Sequence, residues 1–270
     1  MDDGRSTIGL IGAGSMARAM VEGWIRADPG RTARILTTDR GSGRAAELAR
    51  TRGVEHVASN AELVARADTV LLCVKPIDVE RVLRDVGGRI DPGKAVGSVA
   101  AGVATVTIES ILDGDVPVFR LMPNVAVQVG LGTIAYAPGR FTDTTAEERV
   151  LDWMRPLGTV VQLEERQFDA ATALSGSGPA FIALLVEAFE DSGIVAGLSH
   201  AKARELILTT MTGTAALLQE QDMSCSTLRR MVTSPGGTAA AGLTTLERAG
   251  VRGAVIDCVL AAMRRAGELG

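Results

Sequence analysis

The first segment whose residue types and spacing suit chemistry is a glycine-rich turn, Gly12-Ala13-Gly14-Ser15-Met16-Ala17, between an apolar run and a helical pattern. Gly12 allows a tight turn, and Gly14 allows a phosphate to approach the backbone. The helix that follows offers free N–H groups and the positive end of its dipole. This placement predicts a dinucleotide site rather than a ligand-free turn. Its predicted contacts are Gly12, Ala13, Gly14, Ser15 and Met16.

A second segment, Ser234-Pro235-Gly236-Gly237-Thr238, precedes a helical pattern that starts near Ala239. Its backbone N–H groups and the Ser234 hydroxyl would form a cradle for a carboxylate. On spacing alone, an ordinary capped loop is an equally good interpretation. The predicted contacts are Ser234, Gly236, Gly237 and Thr238.

The run Thr37-Thr38-Asp39-Arg40 ends the second apolar strand pattern, at the position that distinguishes NAD from NADP. An acidic residue there would hold a ribose diol, whereas a cation would accept a 2′-phosphate. Thr38 and Arg40 would serve the phosphate if Asp39 turned away, so the sequence favours NADP over NAD. The alternative is that Asp39 and Arg40 form a solvated turn.

Two further strand patterns end in residues that would line the coenzyme, because ligands of an open α/β sheet bind at the carboxyl ends of its strands. They are Val74-Lys75-Pro76 and Val99-Ala100-Ala101-Gly102. On composition alone, Lys75 is better explained as a solvated lysine. Asn60 is explained equally well as a helix cap before Ala61 and as a nucleotide contact.

Groups suited to acid–base catalysis are scarce in this sequence. The two histidines, His56 and His200, lie in an edge segment and at a helix start, and neither is predicted to be catalytic. The three cysteines lack metal-ligand spacing, and Cys73 is predicted to be a buried structural thiol, so no metal is expected. A site poor in such groups is compatible with chemistry in which the positioning of the reactants supplies most of the rate.

The elements that must position these segments divide the chain in two. Up to residue 163, β-branched runs alternate with helical patterns, which predicts an α/β fold, a Rossmann-type doubly wound sheet in residues 1–163. The predicted strands are 7–11, 35–38, 69–74, 95–99, 116–121, 133–137 and 159–163, with helices that include 18–26, 44–52 and 79–86.

Residues 164–270 are rich in Ala, Leu, Met and Glu at helical spacing, which predicts an all-helical second domain. Its predicted helices are 167–174, 179–196, 200–220, 227–232, 239–249 and 251–268. Residues 180–188 are apolar on nearly every side of the helix, so we expect another chain to cover them. The alternative is a central helix buried by its own domain.

Composition excludes several classes of partner. The net charge is −4, from 28 basic and 32 acidic residues spread along the chain, so no basic face is predicted to bind nucleic acid. Apolar stretches such as 69–74 are too short to span a membrane, and Met1-Asp2-Asp3-Gly4 lacks the basic start of a signal peptide. We therefore expect a cytoplasmic globular protein with no membrane partner.

Taken together, these motifs resemble the pyrroline-5-carboxylate reductase family over nearly the full length of the chain. The resemblance rests on residues 8–17, 74–76, 100–103, 122–124, 174–180 and 232–238, of which the last two segments are the most specific. It implies a Rossmann domain, a C-terminal helical dimerisation domain, dimers that often gather into a decamer, and sites formed between two chains.

The implied activity is NAD(P)H-dependent reduction of a small imino acid, 1-pyrroline-5-carboxylate, to L-proline, the last step of proline biosynthesis. The resemblance assigns Asn60, Val74, Lys75 and Pro76 to the coenzyme, and the 234–238 loop to the substrate carboxylate.

The sequence departs from the family at two places near the reacting ring. It has Asn124-Val125-Ala126 where the family usually has Asn-Thr-Pro, and Ala239 where a threonine is common. The resemblance places Asn124 and Ala239 near the substrate. Backbone contacts to a carboxylate would survive both changes, but hydroxyl groups close to the imine nitrogen would be lost unless Thr238 reorients. A reductase of another cyclic imino acid and a non-catalytic dinucleotide sensor remain alternatives.

Overall fold

One sheet of eight strands runs through the structure, a computed structural model that describes residues 6–268. The strands are β1 (Ile8–Ile11), β2 (Ile35–Thr38), β3 (Glu55–His56), β4 (Thr69–Leu72), β5 (Ala95–Ser98), β6 (Val118–Pro123), β7 (Gly132–Pro138) and β8 (Gly158–Gln162). Their order is β3-β2-β1-β4-β5-β6-β7-β8, and the pairs from β3 to β6 are parallel. The predicted Rossmann-type sheet is confirmed.

The α-helices among the described residues are α1 (Ser15–Ala27), α2 (Arg44–Arg52), α3 (Asn60–Arg66), α4 (Pro76–Val86), α5 (Thr105–Glu109), α6 (Thr144–Met154), α7 (Phe168–Ala171), α8 (Gly178–Val195), α9 (His200–Glu220), α10 (Cys225–Met231), α11 (Thr238–Arg248) and α12 (Val251–Gly267). The predicted bounds of α2 and α9 match the structure. Strand β3 and helices α5 and α6 were not among the predicted elements, and α3 was predicted only through the interpretation of Asn60 as a helix cap before Ala61. Both α3 and α5 are too short to show a clear helical period.

Strand β7 is the exception to the parallel arrangement, because it pairs antiparallel with β6. Only residues 124–131 separate these two strands, and a parallel connection needs a crossover of a dozen or more residues. Strand β8 then pairs parallel with β7. The reversal therefore follows from the length of the connection.

The centre of the sheet is covered on both faces, since β1, β2, β4 and β5 are buried along their whole length. On α1, Trp24 meets Trp153 of α6 edge to face, with ring centroids 5.3 Å apart. The Trp24 indole N–H also donates to the Trp153 carbonyl, which satisfies the buried donor. These contacts hold α1, whose first turn follows Gly14.

Contacts divide the chain into two compact units. One comprises the described residues up to Ser177 together with those from Ala262, and the other is Gly178–Ala261. The predicted domain boundary lies earlier, after residue 163, and stays a prediction.

Side-chain contacts explain why residues 164–177 belong to the first unit. Glu165 accepts hydrogen bonds from the Thr105 N–H and hydroxyl at 2.8 and 2.9 Å, and Arg120 donates to it at 2.6 Å. The Arg120 guanidinium lies 4.3 Å from the centroid of the Phe168 ring. This cluster attaches the segment to α5 and β6.

In the second unit, helix α8 exposes much of its apolar surface, including Ile182, Leu184 and Phe189. An 18-residue window within the helical stretch Glu165–Val195 has a mean hydropathy of 1.4, so by length and composition alone this stretch is apolar enough to cross a membrane. The expectation that every apolar stretch is too short is therefore wrong for this one. The signal-peptide prediction concerns residues 1–4, which lie outside the described residues.

The Glu165 carboxylate should contribute to stability in a pH-dependent way. Burial raises its pKa, but hydrogen bonds from Thr105 and Arg120 outweigh burial and hold the pKa below its ordinary 4.5. A lowered pKa adds stability at pH values above the ordinary one, and this stability is lost as pH falls through the folded-state pKa. In denaturant titrations near neutral pH, Glu165→Gln should lower the free energy of unfolding by about 1–3 kcal/mol, because the partly buried Arg120 guanidinium loses its anionic partner.

A matched control is Glu80→Gln on α4, which removes an exposed ion pair with Arg84. Its cost should stay within about 0.5 kcal/mol. The cost of Glu165→Gln should shrink as pH falls below 4.5. A cost that is the same at acid and neutral pH, or no larger than the control, would contradict the role of this carboxylate.

Candidate functional site

The glycine turn, residues 12–17, connects β1 to α1 and lies against the ends of two neighbouring strands. Gly12 has a φ of 102°, and a Cβ there would lie 2.6 Å from the Cys73 carbonyl oxygen. The Gly12 N–H donates to the Thr38 carbonyl at 2.9 Å. Only glycine fits position 12, because both the backbone conformation and the space exclude a side chain.

Gly14 differs, since its φ of −75° suits any residue and a Cβ there would meet nothing within 4 Å. It is the N-cap of α1, where no side chain accepts from the first N–H groups, and the first turn contains no acidic residue. The helix dipole therefore faces an open space beside Gly14. Such an arrangement fits a pyrophosphate, which would approach the backbone closely there.

A cavity of about 460 Å³ lies beside the glycine turn and between the carboxyl ends of β1, β2 and β4. It brings together nine of the predicted coenzyme residues: Gly12, Ala13, Gly14, Ser15, Asp39, Arg40, Asn60, Val74 and Lys75. Sequence reasoning missed four other polar or charged residues of its lining: Ser42, Arg44, Asp78 and Arg81. For Arg44 the available signal was its place at the start of a helix, after Gly41 and Gly43.

The Asp39 carboxylate accepts hydrogen bonds from residues that follow it closely in the chain. Its carboxylate accepts from the N–H groups of Gly41, Ser42 and Ala45 at 2.8, 3.0 and 2.8 Å, and from the Ser42 hydroxyl at 2.7 Å. Burial raises the pKa of Asp39, but these hydrogen bonds outweigh it and lower the pKa below its ordinary value. The carboxylate thus stays ionised and caps the start of α2.

The neighbours of Asp39 differ in accessibility. Thr38 is in the core, with its hydroxyl enclosed, and it does not line the cavity. Arg40 is exposed and lies 3.3 Å from the Asp78 carboxylate. Of the two residues predicted to serve a 2′-phosphate, only Arg40 reaches the cavity.

Asn60 is not the helix cap that one interpretation of the sequence suggested. Ser59 caps α3 by accepting from the Glu62 N–H at 3.1 Å, and Asn60 is the first residue of the helix. The Asn60 amide donates to Asp85 at 3.3 Å and lines the cavity. A nucleotide contact stays a prediction for this residue.

Four other predicted coenzyme residues, Met16, Pro76, Ala100 and Gly102, do not line this cavity, whereas Lys75 does. Lys75 is the exposed N-cap of α4, and Pro76 is its first residue. Ala100 is buried after β5, and Gly102 has a φ of 73° in the loop before α5. Met16 is partly buried against the core. Their contacts with a coenzyme stay predictions.

Asn124, predicted to be near the substrate, is buried and bonded within the first unit. Its side-chain oxygen accepts from the N–H groups of Ala126 and Thr133 at 3.2 and 3.3 Å, and its amide donates to the Ser175 carbonyl at 3.2 Å. Ser175 lies in a π-helical turn, Thr172–Gly176, a geometry often found at functional sites. Asn124 thus ties the end of β6 to this turn.

The predicted carboxylate cradle, the 234–238 loop, belongs to the second unit. Gly236 has a φ of 70°, and the Gly237 N–H donates to the Ser234 carbonyl at 3.0 Å. Gly237 is the N-cap of α11, where no side chain accepts from the first N–H groups, and the first turn contains no acidic residue. This loop has the local geometry of an anion site, and Ala239 is the second residue of the helix.

Cysteine and histidine side chains offer little for acid–base catalysis or metal binding at the glycine turn or at the 234–238 loop. Burial raises the pKa of the Cys73 thiol to about 12, which keeps it protonated as expected for a structural thiol. His56 and His200 are both exposed. Within residues 6–268, no three side chains of His, Cys, Asp or Glu are grouped so that they could hold a metal ion.

Comparison with known families gives two matches. A model described as pyrroline-5-carboxylate reductase dimerisation matches residues 165–269. Another, described as NADP oxidoreductase, coenzyme F420-dependent, matches residues 7–102. The matched regions include the 234–238 loop and the glycine turn, respectively.

Curated relatives and solved structures extend the similarity to nearly the whole chain. The chain is 40% identical to the pyrroline-5-carboxylate reductase of Mycobacterium tuberculosis strain H37Rv, over 98% of this chain and 97% of the relative. It is 36% identical to that of Corynebacterium melassecola, over 98% and 99%. A pyrroline-5-carboxylate reductase structure from Coxiella burnetii has a TM-score of 0.88 and 33% identity over 98% of both chains. A Plasmodium falciparum pyrroline carboxylate reductase structure with NADP bound has a TM-score of 0.87 and 26% identity over 100% and 99%.

Gly14→Ala should separate ligand binding from folding. The added methyl group meets no protein atom within 4 Å but enters the space where a phosphate would approach, so dinucleotide affinity should fall. We expect a loss of about 10- to 100-fold in fluorescence titrations with NADPH, which corresponds to roughly 1.4–2.8 kcal/mol. Heat unfolding of the ligand-free variant should match that of the wild type.

The contrasting variant is Gly12→Ala, whose methyl group would meet the Cys73 carbonyl oxygen and whose φ is unfavourable for alanine. It should lower the unfolding temperature of the ligand-free protein. Unchanged NADPH affinity in Gly14→Ala would show that no phosphate lies at this turn.

Proposed function

This chain belongs to the pyrroline-5-carboxylate reductase family, and from that premise we propose that it reduces the C=N bond of 1-pyrroline-5-carboxylate to give L-proline, the last step of proline biosynthesis. The observation that carries the proposal is the pairing of two anion-binding geometries in one chain. One is the open space at Gly14, and the other is the uncapped start of α11 after Gly237.

The first unit holds the nicotinamide dinucleotide in this proposal. The N–H groups at the start of α1 bind the pyrophosphate, and the cavity beside the glycine turn holds the adenosine half. The ends of β4 and β5, at Val74 and Ala100, line the path towards the nicotinamide. When bound, the reduced coenzyme supplies the hydride for the C=N bond.

We propose NADP rather than NAD as the preferred coenzyme. Asp39 would be the group to hold a ribose diol, but its carboxylate already accepts hydrogen bonds from three backbone N–H groups and the Ser42 hydroxyl. Breaking this cap to reach a ribose would leave those donors unsatisfied. Arg40 meanwhile offers a cation at the same cavity.

The 234–238 loop holds the substrate carboxylate. The N–H groups at the start of α11 donate to it, and the helix dipole favours its negative charge. A carboxylate bound through backbone donors fixes the ring without a charged side chain. Because the imine nitrogen is protonated before reduction, the residues must orient the ring and exclude water but need not supply a proton.

A second candidate, reduction of a different cyclic imino acid, is favoured by Val125. This residue is 55% exposed and lies on the rim of a cavity with Gly14 and Ser15. Together with Ala239, it puts apolar groups where the family commonly has threonines. A larger or more apolar ring would be accommodated better by such groups.

We further propose that a second copy of the chain covers α8 in a homodimer, which is able to assemble further into a decamer. The support is the match of residues 165–269 to a dimerisation model and the exposed apolar surface of α8. Self-association explains that surface without a membrane or a nucleic acid. We place the enzyme in the cytoplasm, where reduced nicotinamide coenzyme is available.

The test of the activity is consumption of NADPH and NADH by the purified protein with 1-pyrroline-5-carboxylate, beside its six-membered homologue. We expect turnover with the five-membered ring, faster with NADPH, and proline as the product. Preference for the six-membered ring would support the second candidate. In that case Ala239→Thr should raise activity with the five-membered ring by about 2- to 10-fold, the value of one hydrogen bond. Tight NADPH binding without turnover on either ring would indicate a sensor.

Self-association is tested by sedimentation of the purified protein without detergent. We expect at least a dimer, and Leu184→Glu should shift it towards the monomer because a buried charge would oppose assembly. The control is Ala65→Glu, which adds the same charge at an exposed position of α3. A monomeric wild type, or a protein that requires detergent to stay in solution, would contradict the homodimer.

A further inference from the structure

Two exposed arginines line the cavity beside the glycine turn: Arg40, in the loop between β2 and α2, and Arg44, at the start of α2. They are not equivalent. Arg40 lies 3.3 Å from the Asp78 carboxylate, which also accepts from Arg81 at 3.1 Å. An anion that recruits Arg40 therefore competes with an existing ion pair.

Within the described residues, the Arg44 guanidinium has no ion pair or hydrogen bond. The nearby acids are otherwise engaged: Glu47 pairs with Arg18 at 3.7 Å, and Asp39 accepts from its own loop. Arg44 is the first residue of α2, after Gly43 at a φ of 76°. A cation in this position is available to an incoming anion without breaking a protein contact.

The position of Arg44 relative to the glycine turn is the second observation. Arg44 lines the cavity of about 460 Å³ described above and also a neighbouring one of about 670 Å³, and both cavities include Gly14 and Ser15. Arg40 lines only the first of these. Arg44 therefore borders both of the cavities that adjoin the place where the pyrophosphate would bind.

An anion that binds near the start of α2 needs a side-chain donor, because Asp39 already occupies the backbone donors there. The start of α2 would itself attract a phosphate, but the Asp39 carboxylate already accepts from the Ala45, Gly41 and Ser42 N–H groups. The Ser42 hydroxyl also donates to Asp39. With these backbone and hydroxyl donors occupied, the guanidinium of Arg44 is the charged donor of segment 39–45 that has no ion pair within the described residues, since Arg40 pairs with Asp78.

We propose that Arg44 is the residue that selects NADPH over NADH in this protein, by binding the 2′-phosphate, with Asp39 as the carboxylate that holds its loop in place. This inference rests on the proposed function only in requiring a bound dinucleotide. Arg40 contributes less to binding of the 2′-phosphate, because it is held in an ion pair with Asp78.

The experiment measures binding to ligand-free protein, so it does not depend on the imino acid substrate. Dissociation constants are measured for NADPH and NADH by fluorescence, and for adenosine 2′,5′-bisphosphate and 5′-AMP by calorimetry. Arg44→Ala should weaken NADPH and the bisphosphate by about 10- to 100-fold, the range for a lost charge-assisted hydrogen bond. NADH and 5′-AMP should bind as they do to the wild type, and Arg44→Lys should keep part of the NADPH affinity.

Two arginine variants are the controls. Arg40→Ala should weaken NADPH less than Arg44→Ala does, and Arg50→Ala, on the same helix but outside both cavities, should leave all four ligands unchanged. A larger loss in Arg40→Ala, equal losses of NADPH and NADH in Arg44→Ala, or a wild type that binds NADH as tightly as NADPH would each overturn the proposal. Failure to reduce 1-pyrroline-5-carboxylate would instead count against the proposed function alone.

Discussion

Three strand ends meet the backbone of Gly12, and the arrangement of the first unit's site depends on how closely they approach. The Gly12 N–H donates to the end of β2, while the Cys73 carbonyl at the end of β4 lies where a side chain of residue 12 would be. Because nothing larger than hydrogen fits there, the chain turns directly from β1 into α1. That turn leaves the uncapped start of α1 beside the open space at Gly14.

Ion pairs and helix capping determine which of the charged side chains around this turn remain available to a ligand. The cavity includes both acids and arginines, yet Asp39 is used by its own loop and Asp78 by Arg40 and Arg81. Within the described residues, the unpaired positive charge around the cavity therefore lies at Arg44, at Lys75 and at the start of α1. An anionic ligand is therefore attracted by these unpaired charges, and the total formal charge of the cavity is a poor guide to its binding.

The helical part of the chain has a different physical constraint, which is apolar surface that its own unit does not cover. Helix α8 exposes Leu184 and Phe189, and water would disfavour a surface of this kind on an isolated chain. The segment before it is attached to α5 and β6 through Glu165 and Arg120. The chain that leads into α8 is thus fixed at one end, and its apolar helix remains available for assembly.

The sequence by itself determined what depends on local periodicity and on glycine. It predicted the buried strands β1 and β2, the helices α2 and α9, the glycine turn and the 234–238 loop, because burial period and turn chemistry are written in neighbouring residues. Only the tertiary structure decided which side chains are free to act. Thr38 is enclosed, Asp39 is a cap and Arg44 is unpaired within the described residues, although all three lie in the short segment 38–44. Asn124 meets Ser175, and Glu165 meets Thr105, across long separations in the chain. Hydrogen-bond partners of this kind are chosen by packing in three dimensions, and no local pattern records them.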